Sequence, residues 1–296
     1  MASRSDRGRV LVTGLDGFTG SYLGPLLRQR GYEVIGAGEP EFNLLRPESI
    51  ASVITSAQPE FVIHLAGISF VAHEDAAALY AVNTVGTTSL LSALEVVAPR
   101  LRKVILASTS QVYGNATDDP ITERTATAPI NHYACSKLAM EHMAHHWFAR
   151  LPILITRPFN YIGPGQGKHF LLPKLIDHFR RQASVIALGN LGVERDFLDV
   201  RAVADIYVKL LESRLQSTAV NIASGVARSL ASILDDLTRI TGHHLSTRID
   251  PALVRHNEVK RLVGSSENLR HVVGDLAYSD FEATLRWMLE QVPAPA

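Results

Sequence analysis

The sequence predicts a doubly wound α/β fold, a parallel sheet with helices on both faces, joined to a smaller C-terminal lobe. Three observations carry this reading. Short aliphatic and β-branched runs alternate with helical patterns through the first half of the chain. The first of these runs ends in glycines at i, i+3 and i+6, namely Gly14, Gly17 and Gly20. After Arg157 the alternation gives way to loops and isolated amphipathic helices.

Each element has its own signal. Residues 9–13 form an aliphatic run that reads as a buried parallel strand. Leu23, Leu26 and Leu27 follow at helical spacing, with Gly31 as the stop. Residues 32–35 read as a second strand, and Pro47 suits the first turn of a helix running to about residue 56. Residues 61–65 give a third strand, 75–97 a long helical pattern interrupted near Gly86, and 103–107 a fourth strand. A helix over about 131–150 leads into a strand at 152–156. Beyond it, 171–181, 202–213, 229–241 and 280–291 read as helices and 219–222 as a strand. The expected division is a dinucleotide-binding domain over 8–162 and about 196–224, with a substrate lobe over about 163–195 and 225–292.

The 296 residues suffice for a sizeable core, and 46% hydrophobic with 20% charged residues is ordinary globular composition. Lys plus Arg equals Asp plus Glu, so no basic surplus points to nucleic acid or an anionic membrane. The single cysteine, Cys135, allows no intrachain disulfide and no Cys-rich zinc site. The first seven residues lack a signal-peptide core, and no apolar run reads as membrane-spanning, so the expected location is cytoplasmic. His142 and His146 could share a helix face, but no carboxylates complete a metal site, and none is expected.

The glycine loop follows a strand and opens a helix. Gly14 permits the tight turn, Gly17 lets backbone N–H groups approach a pyrophosphate, and Gly20 allows close helix–strand packing. The helix start then faces the phosphates. The position that holds a ribose-binding acid in NAD enzymes falls on Gly38. A glycine there repels no 2′-phosphate and favours NADP, and Glu39 is the residue that could reverse the choice in favour of NAD.

Tyr133 and Lys137 are four apart and share a helix face. A free phenol, with a pKa of about 10, is a poor catalyst at neutral pH. A neighbouring ammonium is expected to lower it. The fourth strand ends in Ser108, Thr109 and Ser110, hydroxyls at the sheet edge where ligands of such folds bind.

Together these residues resemble the extended short-chain dehydrogenase/reductases, a Rossmann-fold family, over essentially the whole chain. The likeness runs through Thr13–Gly20, His64-Leu-Ala-Gly67, Asn83-Thr-x-Gly-Thr87, Tyr133-x-x-x-Lys137, Arg157-Pro-Phe-Asn160 and residues 195–200. Residues 157–166, the run Arg255-His-Asn-Glu258 and Asn268-Leu-Arg270 are most similar to the GDP-4-keto-6-deoxy-D-mannose reductases, which make GDP-D-rhamnose. The resemblance implies Tyr133 as acid–base, Lys137 as its activator and Thr109 as hydroxyl partner, with Ser108 the competing assignment. It implies a dinucleotide site of Gly14, Asp16, Gly17, Phe18, Thr19, Gly20, Glu39, Asn43, Leu44, Leu65, Ala66, Gly67, Asn83, Tyr133, Lys137 and Arg157. For the sugar-nucleotide it implies Thr109, Ser110, Gln111, Asn160, Arg195, Arg255 and Glu258.

Related 4,6-dehydratases carry an acid in the two positions after the catalytic hydroxyl. Here these are Ser110 and Gln111, so removal of water across C5 and C6 is disfavoured. The expected activity is NAD(P)H-dependent reduction of a 4-keto nucleotide-sugar, GDP-linked. An NAD-dependent 4-epimerase is the alternative, and a non-catalytic NADP-binding regulator the remote one. The family often dimerises through the helices corresponding to 75–97 and 131–150. Leu138, Met143, Ala144 and Trp147 are therefore expected at a homodimer face.

Overall fold

The structure is a computed structural model and describes residues 7–38, 40–70, 73–254, 258–274 and 280–291. The first half alternates β1 (Arg9–Thr13), α1 (Phe18–Gln29), β2 (Glu33–Ala37), α2 (Pro47–Ala57), β3 (Phe61–His64), α3 (Ala76–Tyr80), α4 (Thr87–Val97), β4 (Lys103–Ala107), α5 (His132–Ala144) and β5 (Ile153–Pro158). The second half adds β6 (Asn160–Ile162), α6 (Leu171–Arg180), β7 (Val185–Leu188), β8 (Glu194–Asp199), α7 (Val200–Glu212), β9 (Thr218–Ile222) and β10 (Ala227–Ser229). The chain closes with α8 (Leu230–Thr241), β11 (Ser246–Ile249), β12 (Arg261–Leu262), α9 (Glu267–Val273) and α10 (Phe281–Glu290).

Six parallel strands form the main sheet in the order β2-β1-β3-β4-β5-β9. The residues of β1, β3, β4 and β5 are nearly all buried, which explains their unbroken aliphatic runs, whereas the edge strand β2 buries only Ala37. One core lies between the sheet and α1 with α7, the other between the sheet and α2, α4 and α5. The order reverses between β1 and β3, where a doubly wound sheet opens its ligand crevice. Register puts Thr13 level with Ala37 and His64, so three strand ends meet there.

The expected helices form, with shifts at their ends. A π-helical turn, Ala81–Gly86, sits where Gly86 was expected to interrupt the long helix. A Cβ on Gly86 would lie 2.8 Å from Cβ of Leu44, so glycine lets the strand-crossing loop pack against the turn. By length and composition the stretch Ala76–Val97 is apolar enough to cross a membrane, against the sequence expectation. Its Leu79, Leu90, Leu91 and Leu94 are nevertheless buried in the protein, and Asn83 and Thr87 make buried hydrogen bonds. It is a core helix.

Two further corrections concern α5. The helix ends at Ala144 and tightens into a 3₁₀ turn, His145–Trp147. Ala144 and Trp147, expected at a dimer face, pack instead in the core beneath α4, and the Trp147 indole donates to Glu95 at 2.8 Å. Leu138 packs partly against the Val112–Tyr113 cluster, and Met143 alone of the four is exposed.

The second lobe is built on α6, α8 and α10, whose apolar faces enclose a third core. Its sheet joins β6, β8, β10 and β12. β6 and residues 196–199 thus pair outside the main sheet, although the expected division placed them with the dinucleotide-binding part.

Candidate active site

The glycine loop is shaped by contacts that tolerate no side chain. Gly14 has φ +72°, and a Cβ there would come within 2.9 Å of the Ala66 amide nitrogen at the end of β3. At Gly20 a Cβ would lie 2.3 Å from the Leu15 carbonyl oxygen, so the first turn of α1 rests directly on the loop. Gly17 caps α1 without a side-chain hydrogen bond, which leaves the helix start able to receive an anion. These features fit a dinucleotide pyrophosphate. Phe18 stacks on Tyr161 with ring centroids 5.9 Å apart, and Thr19 shares a 2.7 Å hydrogen bond with the Tyr161 hydroxyl.

Behind the loop, the His64 imidazole bridges Thr13 Oγ1 at 2.7 Å and Thr87 Oγ1 at 2.9 Å. Burial, with the Lys137 charge nearby, pushes its pKa down to about 3, so it is a neutral strut near neutral pH. Leu65 and Ala66 donate their backbone N–H groups to the Thr13 carbonyl and hydroxyl. Asn83 receives the Ile68 N–H at 2.9 Å and donates to the Ile68 carbonyl and to Ser136 Oγ, both at 3.0 Å. Its side chain therefore pins the loop after β3 to α5. The carboxamide oxygen would lie 2.7 Å from a Cβ on Gly67, and Lys137 Nζ 3.3 Å, so Gly67 gives both groups room. Asn43 and Leu44 lie in the turn after β2, where Leu44 is buried and the Asn43 side chain accepts from Leu45 N–H at 2.8 Å.

Tyr133 and Lys137 lie on the first turns of α5, fixed by its N-cap Asn131, which accepts from Ala134 N–H at 2.8 Å. The Tyr133 phenol lies close enough to the Thr109 hydroxyl for its pKa to be lowered by it, and that hydroxyl accepts from Gln111 N–H at 3.2 Å. Ser108, the competing assignment, instead donates to the Glu141 carboxylate within the protein.

The expected drop in the phenol pKa does not appear. Burial pushes Tyr133 up to about 12, opposed by the Thr109 hydrogen bond and reinforced by Tyr161. The Lys137 ammonium donates to the Ala107 carbonyl at 2.9 Å. Burial brings the ammonium itself down to about 8, against the pull of Glu141 one helical turn along.

Arg157, expected to meet the cofactor, is spent elsewhere. Its nitrogens donate to both Glu141 oxygens and, at 2.9 Å, to the Tyr113 hydroxyl, which donates on to Asn221 at 2.8 Å. The guanidinium also lies 5.0 Å above the Tyr113 ring. These bonds turn the guanidinium toward Glu141 and Tyr113 within the protein.

Between the lobes opens a cavity of about 570 Å³, lined by Gln111, Asn131, Asn160, Tyr161, Lys174, Arg195 and Glu258 among others. Asn160 donates to the Asp196 carbonyl at 3.2 Å, and Arg195 pairs with Glu258 at 2.5 Å. Ser110 is buried, and Gln111 reaches the cavity wall. Arg255 and Glu39 lie outside the described residues. Another hollow, of about 610 Å³, lies beside Pro120, Gly225 and Arg270; neither lining includes Thr109, Tyr133 or Lys137, but only the first includes their chain neighbours Gln111 and Asn131. Sequence reading missed Glu141, Tyr161 and the edge-to-face pair Phe70–His169, whose centroids are 4.8 Å apart at the cavity wall. For Glu141 a signal existed: it lies one turn beyond Lys137 on the same face.

The chain matches the NAD dependent epimerase/dehydratase family over residues 10–223. It is 34% identical to GDP-6-deoxy-D-talose 4-dehydrogenase of Aggregatibacter actinomycetemcomitans, over 95% of this chain and 96% of that one. It is also 34% identical to GDP-6-deoxy-D-mannose reductase of Pseudomonas aeruginosa, over 90% and 91% respectively. A Pseudomonas aeruginosa structure, RMD complexed with NADPH, superposes with a TM-score of 0.86 at 32% identity, covering 95% of this chain and 96% of that one.

Proposed function

The chain belongs to the NAD-dependent epimerase/dehydratase family and is an NAD(P)-dependent oxidoreductase of nucleotide-sugars, and from that premise we propose that it reduces the 4-keto group of GDP-4-keto-6-deoxy-D-mannose to give GDP-D-rhamnose. The observation that carries this reading is the Tyr133–Thr109 hydroxyl pair, whose neighbours Gln111 and Asn131 line a cavity furnished with Asn160 and Arg195. A bound dihydronicotinamide supplies a hydride to C4. Tyr133 gives its proton to the C4 oxygen, Thr109 orients that oxygen, and together they complete the alcohol. Lys137 holds positive charge beside the phenol and the glycine loop. Asn160 and Arg195 engage the sugar-nucleotide, arginine suiting phosphate oxygens through its planar fork. With Ser110 and Gln111 following Thr109, no carboxylate stands there to drive dehydration.

The test is incubation with GDP-4-keto-6-deoxy-D-mannose and NADH or NADPH. Loss of absorbance at the nicotinamide band, with NMR assignment of a rhamnosyl product, supports the proposal. A 6-deoxytalosyl product would place hydride on the other sugar face, the outcome favoured by likeness to the talose dehydrogenase. Tight dinucleotide that turns over without net consumption would establish the epimerase instead.

The charge on Lys137 sets a pH dependence. In the free enzyme the ammonium is present below about pH 8 and lost above it. Tyr133 keeps the proton it must donate up to about 12, so its own ionisation does not limit reduction below that. kcat/KM for reduction is therefore expected to be level up to about pH 8 and to fall about tenfold per pH unit beyond. A profile level to pH 10 would remove Lys137 from this role.

The homodimer belongs to the same proposal. Val85 is 59% and Met143 37% exposed, on the adjoining π-turn and α5. Sedimentation is expected to give twice the 32.3 kDa chain mass, and Val85→Asp with Met143→Glu to give monomer.

A further inference from the structure

We propose that Asp16, in the glycine loop, reads the adenosine ribose and makes this chain prefer NAD(H), whose 2′ substituent is a hydroxyl, over NADP(H), whose 2′ substituent is a phosphate. The inference rests on the dinucleotide site described above and names the cofactor that site takes. Kinship leaves this open, since the family is described by NAD and one structural neighbour holds NADPH.

The residue after β2 is Gly38, where an acid would ordinarily reach for the ribose. A Cβ built on Gly38 meets a single group, the Asp16 carboxylate, with Oδ2 3.6 Å away. That is about the reach of a glutamate carboxylate from its own Cβ. Asp16 thus brings a carboxylate, from the β1 side of the crevice, to the spot an acid at the end of β2 would fill. The glycine at 38 is what leaves the space for it. Gly38 by itself carries no charge and favoured NADP, with Glu39 after it the acid that could reverse the choice. The folded chain supplies that charge from the neighbouring loop.

Nothing offsets this carboxylate. Among the described residues Asp16 accepts no hydrogen bond and makes no ion pair, and it is exposed. A 2′-hydroxyl can donate to it, whereas a phosphate meets like charge. Residues 31–45 hold no lysine or arginine, the first cation after β2 being Arg46 at the start of α2, and Glu41 is a further exposed acid in that stretch.

Dissociation constants for NADH and NADPH, measured by nicotinamide fluorescence on the full chain, test the proposal without turnover. The unaltered protein is expected to bind NADH roughly 10- to 100-fold more tightly than NADPH, the scale of one like-charge contact in a partly solvated site. Asp16→Asn and Asp16→Ser are expected to cut that ratio about tenfold, chiefly by improving NADPH. A native preference for NADPH would overturn the proposal, as would variants that weaken both dinucleotides equally or leave the ratio unchanged. In those cases the family's dinucleotide site stands. Binding of neither dinucleotide would instead sink the site reading itself.

Discussion

Tyr133→Phe is expected to lower kcat/KM for keto-sugar reduction by about 10²–10⁴-fold, the range that a positioned proton donor supplies. The phenol is buried on α5 beside Thr109, so removing its oxygen takes away both the proton and one arm of the pair proposed to grip the C4 oxygen. The ring remains to fill its place, and the fold is expected to keep its melting temperature within a few degrees. Dinucleotide affinity, measured by fluorescence, is expected to change less than about threefold, because Lys137 is held by Ala107 rather than by the phenol. Full activity in this variant would show that the proton comes from elsewhere. A matching loss of cofactor affinity would show that Tyr133 acts mainly in binding.

Arg157→Met carries the largest expected cost in stability. It strips the counter-charge from Glu141, whose side chain is 2% exposed. Orphaning one partner of a buried ion pair typically costs about 3–5 kcal/mol, here a fall of roughly 5–8 °C in melting temperature. The Tyr113 hydroxyl loses a donor at the same time. The loss should reach the chemistry, because Glu141 also receives Ser108, next to Thr109, and lies one turn from Lys137. The double variant with Glu141→Met is expected to regain part of the stability, since replacing both charges by apolar groups leaves none uncompensated. Thermal melts of the single and double variants check this. An Arg157→Met protein as stable as the parent would mean the pair contributes nothing to folding.

That Tyr133 and Lys137 share a helix face was legible from their spacing of four, but the spacing alone is common, and a catalytic reading came only with the glycine loop and the strand-end hydroxyls beside it. The glycine loop was legible because crowding at Gly14 and Gly20 forbids side chains. Which strand-end hydroxyl meets the phenol was not, since Ser108 and Thr109 are adjacent and only the fold shows Ser108 turned to Glu141. Arg157 was placed in the dinucleotide site by the resemblance, which does not disclose a buried partner such as Glu141 from a separate element. Trp147 and Ala144 followed an apolar helix face whose cover proved to be the same chain. The strands β10 and β12, of three and two residues, are too short to show any periodicity.

Strand β8 sends consecutive side chains to opposite cores: Phe197 packs with the α6–α8–α10 cluster, and Leu198 with the cluster beneath the main sheet. Asp199, the next residue, caps α7 and also receives the Thr284 hydroxyl of α10 at 2.9 Å. The two halves are therefore riveted through one stiff rod instead of being strung on a pliable joint. Swinging them apart would tear leucine from one interior or phenylalanine from the other. A bulky sugar-nucleotide must then enter and leave a cleft whose two walls keep their spacing, with the Phe70 and His169 rings in contact on one of them.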